Sequence, residues 1–135
     1  MLSEMRPKAL IVEDDAPTRA LLKTLVETHE CDVELAIDGE QALHALSATR
    51  FEVILLDIVL PKISGVEVME HLRQHNPKSL ERVIVVSGLD VEEIRKVFPT
   101  ICQTLSKPVL PARLNQWVSA CLMSPVNDAD AEIAR

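Results

Sequence analysis

Short hydrophobic runs alternate along the chain with stretches in which hydrophobic residues recur every three or four positions. The short runs stop abruptly at polar residues, which is typical of strands buried on both faces of a parallel sheet. They predict strands at 9–12, 32–36, 51–56, 82–86 and 101–105. The periodic stretches predict helices at 17–29, around 42–46, and at 66–75, 90–98 and 111–122.

Strands that alternate with helices in this way indicate parallel βαβ units with right-handed crossovers. The predicted fold class is therefore α/β, a flavodoxin-like (βα)5 three-layer sandwich whose parallel sheet has the strand order 2-1-3-4-5. We expect one domain over 7–122, because that length suits a single hydrophobic core. Residues 1–6 and 123–135 are expected to be loose termini, too short for an output domain.

Composition narrows the choice of partners. The net charge is −7, aromatic residues make up only 2%, and no basic stripe is visible, so we expect no nucleic-acid binding by this domain. The three cysteines share no close spacing, which favours reduced thiols over disulfides or a zinc site. The chain starts without a signal-peptide pattern and contains no apolar run long enough to span a bilayer. We therefore expect a cytoplasmic protein that does not bind membranes.

Polar side chains follow four of the predicted strands. They are the acidic run Glu13, Asp14 and Asp15 after the first strand, Asp57 after the third, Ser87 after the fourth and Lys107 after the fifth. The carboxyl ends of parallel strands meet at one edge of the sheet, and ligands bind there at the switch point between the first and third strands. One charged residue at a strand end would be ordinary, but this combination predicts a site.

The residue types at this edge predict phosphoryl chemistry with magnesium. Clustered carboxylates repel one another unless a cation lies among them, and an oxygen-rich site with room for water suits Mg²⁺. No His or Cys lies at these strand ends, which disfavours zinc. A carboxylate beside a divalent ion can attack phosphorus to give an aspartyl-phosphate. Lys107 and Ser87 are suited to meet the phosphoryl oxygens.

Several motifs at these positions carry a family resemblance. They are the acidic run 13–15, the turn 38–42, the pattern D-x-x-x-P-x-x-x-G at 57–65, Val86-Ser87-Gly88, and the lysine-proline step at 107–108. In this order and on successive strands, they resemble a bacterial two-component response-regulator receiver domain, also called a phosphoacceptor domain. The similarity covers roughly residues 7–122.

The resemblance implies a role for each residue of the set. Asp57 would be the phosphoacceptor, and Lys107 would pair with it and later with the phosphoryl group. Asp15 would bind Mg²⁺ directly, Asp14 would assist through a water, and the backbone carbonyl of Val59 would complete the protein ligands. Ser87 would move toward the phosphoryl group and report it.

The resemblance also implies a function and partners. The chain would take its phosphoryl group from a histidine kinase or phosphotransfer protein and pass the signal to a downstream protein target. It would catalyse its own phosphorylation and dephosphorylation without being an enzyme in the metabolic sense.

Two departures from the family pattern affect the signalling end of the domain. The family usually has Tyr or Phe three residues before the lysine, and here that position is Thr104. The stretch from Ser87 to Lys107 is slightly short and contains Pro99, so we expect a truncated or re-angled fourth helix.

Other interpretations stay open at this point. A degenerate receiver could act as a phosphorylation-independent docking module, although the intact site residues argue against it. A flavin or nucleotide binder would want a Gly- or Ser-rich loop after the first strand, where this chain has acids. A metal-dependent phosphatase that used Asp57 would need a second acid two residues after this nucleophile, as its general acid, and that position is Val59. His71 and His75 have a spacing that could bind a metal, but no third ligand is evident and a solvated surface is favoured.

Overall fold

The computed structural model describes residues 6–89 and 91–123. Within these ranges five strands alternate with five α-helices. They are β1 Lys8–Val12, α1 Ala16–Glu27, β2 Asp32–Ala36, α2 Gly39–Ala48, β3 Val53–Leu56, α3 Gly65–His75, β4 Val83–Ser87, α4 Val91–Val97, β5 Gln103–Ser106 and α5 Pro111–Leu122. A 3₁₀ helix, Pro77–Arg82, precedes β4.

All strand pairs are parallel, and the order across the sheet is β2-β1-β3-β4-β5. The predicted α/β sandwich is thereby confirmed. Successive side chains of a strand point to opposite faces, and the strands accordingly feed two separate hydrophobic clusters. Leu10 and Val12 of β1 pack in the cluster of α2 and α3, whereas Ala9 and Ile11 pack in the cluster of α1 and α5. The sheet is the middle layer of three.

Side-chain caps fix where the first three helices begin. Asp15 caps α1 by accepting the N–H of Thr18, and Asp38 caps α2 by accepting that of Gln41. Ser64 and Glu67 form a reciprocal capping box at the start of α3. Each cap satisfies backbone donors that the first helical turn leaves without partners.

The structure shifts several predicted boundaries. β5 covers Gln103–Ser106 instead of 101–105, and the 3₁₀ helix before β4 was not predicted. No residue of α4 is fully buried, and the helix is held by partly buried Ile94, which packs against the core, and by Phe98 directly after it, which is only 1% exposed. Asp90, the first residue of the predicted fourth helix, and the termini at 1–5 and 124–135 lie outside the described residues. No helix in the described part is long and apolar enough to cross a membrane.

Candidate functional site

Backbone pairing brings Glu13 and Asp57 together at the carboxyl edge of the sheet. The N–H of Asp57 donates to the carbonyl of Val12 (3.1 Å), and the N–H of Glu13 donates to that of Ala36 (3.0 Å). Both acids therefore continue the strand pairing one residue beyond the assigned strands. Both are nearly inaccessible, with Glu13 1% and Asp57 5% exposed.

Three carboxylates and one ammonium form the centre of the site. Glu13, Asp14 and Asp57 each offer a carboxylate oxygen, and these oxygens lie within 4.8 Å of one another. Lys107 Nζ lies 2.9 Å from Asp57 Oδ2 and 2.9 Å from Glu13 Oε1. In the described part of the chain this is the one group of three or more possible metal-ligating side chains.

Burial makes the charge of Glu13 costly. It raises the pKa of the Glu13 carboxyl, and the hydrogen bonds from Lys107 and the Asp15 amide oppose that rise. Glu13 Oε2 accepts the Asp15 N–H at 3.1 Å, while buried Oε1 has no hydrogen-bond partner of good geometry besides the Lys107 ion pair. Burial also lowers the pKa of Lys107, but the bonds to Asp57 and Glu13 outweigh it, and the net shift is upward. The ammonium thus stays charged.

Asp15, which was expected to bind Mg²⁺ directly, does not belong to the cluster of carboxylates in the structure. Its exposed carboxylate caps α1 and accepts both the N–H (3.0 Å) and the hydroxyl (2.5 Å) of Thr18. These bonds lower the pKa of Asp15. It is Glu13, and not Asp15, that lies with Asp14 and Asp57. The sequence signal for the position of Asp15 is that it directly precedes Ala-Pro, a typical helix start at which an acid is a typical cap. The position of Glu13 follows from the strand pairing, which continues without interruption and buries it.

Ser87 and Lys107 reach the site from adjacent strands. Ser87 is fully buried at the end of β4, and its carbonyl accepts the N–H of Lys107 at 2.9 Å. The Oγ of Ser87 accepts the N–H of Leu89 at 3.1 Å, which ties it to the loop before α4. One backbone hydrogen bond therefore joins Ser87 and Lys107, the hydroxyl and lysine predicted from the sequence, beside Asp57.

The loop after Asp57 is held by its own backbone. The N–H of Val59 donates to Asp57 Oδ1 at 3.2 Å, and the N–H of Gly65 donates to the carbonyl of Ile58 at 2.9 Å. The Val59 side chain is 59% exposed and points no polar group at the site. Asp57 Oδ2 is thus paired with Lys107, and Asp57 Oδ1 accepts a hydrogen bond from the loop that follows Asp57.

Two clefts adjoin Lys107. One, of about 630 Å³, runs along β5 to the starts of α4 and α5 and is lined by Thr104, Leu110 and Arg113 among others. The other, of about 400 Å³, lies against α1 and is lined by Thr18, Leu21, Leu22, Pro108 and Val109. Thr104, which stands where the family pattern has an aromatic ring, therefore leaves open space beside the lysine.

Comparison with known proteins points to a single family. The family model described as the response regulator receiver domain matches residues 9–119. The alkaline phosphatase synthesis transcriptional regulatory protein PhoP of Bacillus subtilis is 34% identical over 87% of this chain, which corresponds to 49% of PhoP. The chain spans about half the length of the curated relatives of this kind that it matches.

Solved structures give the same result. The receiver domain of the Francisella response regulator 1452 is 28% identical with a TM-score of 0.77, over 87% of this chain and 97% of that one. The BeF3-activated DrrB receiver domain is 26% identical with a TM-score of 0.75, over 89% of this chain and all of that one (100%).

Proposed function

The chain belongs to the response regulator receiver domain family of two-component systems, and we propose that it accepts a phosphoryl group on Asp57 in a Mg²⁺-dependent reaction. The observation that carries the proposal is the pairing of buried Asp57 with Lys107, at 2.9 Å, inside a cluster of acids. A phosphoacceptor needs a carboxylate, a fixed cation for the phosphoryl charge and a place for a divalent ion. This edge of the sheet offers all of them.

The charges and donors of the site fit Mg²⁺. When ionised, three carboxylates and one ammonium carry a net charge of −2, which one divalent cation would neutralise. The donors are oxygens, and the buried Glu13 Oε1 has no partner besides the Lys107 ammonium, 2.9 Å away. We therefore propose Glu13, Asp14 and Asp57 as the carboxylate ligands. The direct role expected for Asp15 is the alternative to this set, and the Val59 carbonyl ligand remains a prediction. Bound Mg²⁺ would act as a Lewis acid toward the phosphoryl oxygens.

The chain's own residues perform the transfer. An oxygen of Asp57 attacks phosphorus in line, so that a new oxygen–phosphorus bond forms while the bond from phosphorus to the donor breaks. The donor leaves with the electron pair of that bond. Lys107 is already within hydrogen-bond distance of Asp57 and is positioned to follow the charge onto the phosphoryl oxygens.

We propose that Ser87 responds to phosphorylation of Asp57 and passes the change on to the loop before α4. Its Oγ accepts from Leu89, so its hydroxyl proton is free to be donated. A phosphoryl group on Asp57 supplies an acceptor, and a move of Ser87 toward it would pull on the loop before α4. Since α4 buries no residue fully, that segment is easily re-packed.

We propose a histidine kinase or phosphotransfer protein as the donor, since receiver domains take part in such pairs. The cleft between α1 and the Pro108 segment lies beside Lys107 and exposes Leu21, which is 47% accessible. That surface is where a donor protein would bring its phosphohistidine to Asp57. Four expectations stay predictions. They are the domain boundaries 7–122, a downstream protein target, a cytoplasmic location, and a reaction that the domain catalyses on itself without being a metabolic enzyme.

Acetyl phosphate with Mg²⁺ tests the proposal without any partner. We expect one phosphoryl group per chain by intact mass, labile to both acid and base as an acyl phosphate is. Asp57→Asn should abolish it, whereas Asp32→Asn, an exposed acid on β2, should leave it unchanged. Undiminished labelling of Asp57→Asn would refute the assignment. A chain that takes no phosphoryl group at all would favour the docking-module alternative.

A further inference from the structure

Two of the three free cysteines lie side by side at the amino edge of the sheet, opposite to the edge that holds Asp57. Cys102 directly precedes β5, and Cys121 lies in the last turn of α5. Their thiols are close enough to interact with each other. The thiol of the third cysteine, Cys31, donates instead to the carbonyl of His29 at 3.8 Å. The receiver function uses none of these thiols.

The backbone at Arg82 and Val83 holds both cysteines of the pair. The N–H of Cys102 donates to the carbonyl of Val83 at 2.9 Å. Arg82 Nη1 donates to the carbonyl of Cys121 at 2.7 Å. The Sγ of Cys121 lies 3.3 Å from the carbonyl oxygen of Glu52 and 3.7 Å from that of Arg82. Since residues 82 and 83 are adjacent in the chain, these contacts fix the two thiols next to each other.

Positive charge adjoins the pair. Arg82 is only 4% exposed, and its Nη2 is buried with no hydrogen-bond partner in the part of the chain that the structure describes. Arg95 Nη2 donates to Gln103 Oε1, on the residue after Cys102, at 2.8 Å. A cation favours the ionised form of an acidic group beside it. Both arginines accordingly lower the pKa of Cys102, which favours its thiolate, the reactive form of a cysteine.

We propose that Cys102 and Cys121 form a reversible disulfide when hydrogen peroxide oxidises Cys102. A small oxidant can reach the half-buried Cys102, whereas Cys121 is only 2% exposed. The Cys102 thiolate attacks one peroxide oxygen, so that a sulfur–oxygen bond forms, the oxygen–oxygen bond breaks and hydroxide leaves. The Cys121 sulfur then attacks the sulfur of the resulting sulfenic acid. The sulfur–oxygen bond breaks, and the hydroxyl leaves as water with the Cys121 proton.

Oxidation of Cys102 prepares Cys121 for the second step. The contact with Cys102 and the charge of its thiolate, together with burial, hold the pKa of the Cys121 thiol far above its usual value. Conversion of that thiolate to an uncharged sulfenic acid removes the effect of the charge. The bond would join the start of β5 to the end of α5. Cys102 lies about 17 Å along the strand from Lys107, so the domain would take this second input away from the phosphoacceptor site.

Hydrogen peroxide added to the reduced full chain tests the pair, with tryptic peptides analysed under non-reducing conditions. Trypsin cuts after Arg113, between the two cysteines, so a disulfide leaves their peptides joined. We expect a joined pair that dithiothreitol separates, and an intact mass lower by two hydrogen atoms. Cys31→Ser is the matched control and should form the disulfide as the parent does. Cys102→Ser and Cys121→Ala should lose it completely.

Dimedone, which captures sulfenic acids, separates the two steps. Cys121→Ala should accumulate dimedone on Cys102, whereas Cys102→Ser should give none on Cys121. A parent chain in which Cys102 stays a thiol or a sulfenic acid after peroxide would overturn the proposal. So would a disulfide that involves Cys31 or that joins two chains. Acetyl phosphate labelling of the reduced variants should equal that of the parent, which verifies folding and keeps the result separate from the proposed function.

Discussion

Gly65 lies so close to Asp57 that a Cβ added to it would be 2.3 Å from the Asp57 carbonyl oxygen. The same Cβ would be 2.7 Å from the Cα of Ile58. Both neighbours are backbone atoms, which cannot swing aside as the end of a side chain can. The first residue of α3 therefore packs directly against the backbone that carries the phosphoacceptor, and only glycine leaves room for it.

Gly65→Ala should disturb stability and phosphorylation together. Overpacking at this contact should lower the free energy of unfolding by about 1–3 kcal/mol, and the shifted Asp57 should react more slowly with acetyl phosphate. Gly88→Ala is the control, because a Cβ there meets no atom within 4 Å and Gly88 has no positive φ. Urea unfolding and labelling rates measure both effects. Equal behaviour of the two variants would show that the Gly65 contact is not tight in solution.

Glu13→Gln and Asp15→Asn distinguish the two possible ligand sets for Mg²⁺. The first removes a buried charge from the carboxylate cluster and keeps its shape, so Mg²⁺ affinity should fall on the order of tenfold. The second leaves a good helix cap at α1 and removes a charge outside the cluster, so affinity should change little. Mg²⁺ titration followed by the signals of the site measures both. The reverse order of effects would restore Asp15 as the direct ligand.

Val59→Asn should shorten the lifetime of the aspartyl-phosphate. Hydrolysis needs a positioned water, and the exposed Val59 side chain offers no polar group to hold one. An amide at this position can orient the attacking water. The decay of phosphorylated protein after removal of acetyl phosphate measures the lifetime, with Val59→Leu as an apolar control. A lifetime in Val59→Asn equal to or longer than that of the parent would contradict the argument.

Thr104→Tyr should change partner binding more than phosphorylation. Thr104 lines the cleft of about 630 Å³ along β5, which a ring would partly fill next to the face of α4 and α5. The catalytic groups stay in place, since Thr104 is not among them. Acetyl phosphate labelling and affinity for the cognate downstream protein, once identified, measure the two effects. A change confined to the labelling rate would show that this cleft is not part of the read-out surface.

Cys102 should be the first of the three cysteines to be alkylated in the native protein. The Cys121 thiol beside it lowers the pKa of Cys102 and outweighs the opposing effect of burial, and Arg82 and Arg95 also lower it. That same contact and burial raise the pKa of Cys121, and burial raises that of Cys31. The thiolate is the nucleophile, so labelling of Cys102 should begin at lower pH than that of the other two.

Iodoacetamide labelling across a pH series, followed by peptide mass analysis, measures the order. Cys102→Ser should remove the fast reaction, and Cys31→Ser should not. Rapid native-state labelling of Cys121, which is 2% exposed, would contradict both its burial and its raised pKa.

Much of this protein could be predicted from local sequence patterns. Buried parallel strands need unbroken apolar runs and amphipathic helices need a 3.6-residue period, so the chain of βα units and their sheet order followed from patterning and connection rules. The meeting of Asp57 with Lys107 followed from the same reasoning, because both stand at carboxyl ends of parallel strands. The 3₁₀ helix Pro77–Arg82 could not be predicted in this way, since its 6 residues are too few to show a recurring hydrophobic spacing.

The choice among Glu13, Asp14 and Asp15 was decided by the tertiary structure alone. The Ala-Pro after Asp15 marks that acid as a helix cap, but no local rule shows that Glu13 is buried beside Asp57. Parallel pairing extends one residue past β1 and carries Glu13 into the buried edge, while the start of α1 turns Asp15 toward Thr18. Sequence determined that carboxylates would stand at this edge. Which of them faces Asp57 depends on where strand pairing ends and helix capping begins, and those two constraints meet only in the folded chain.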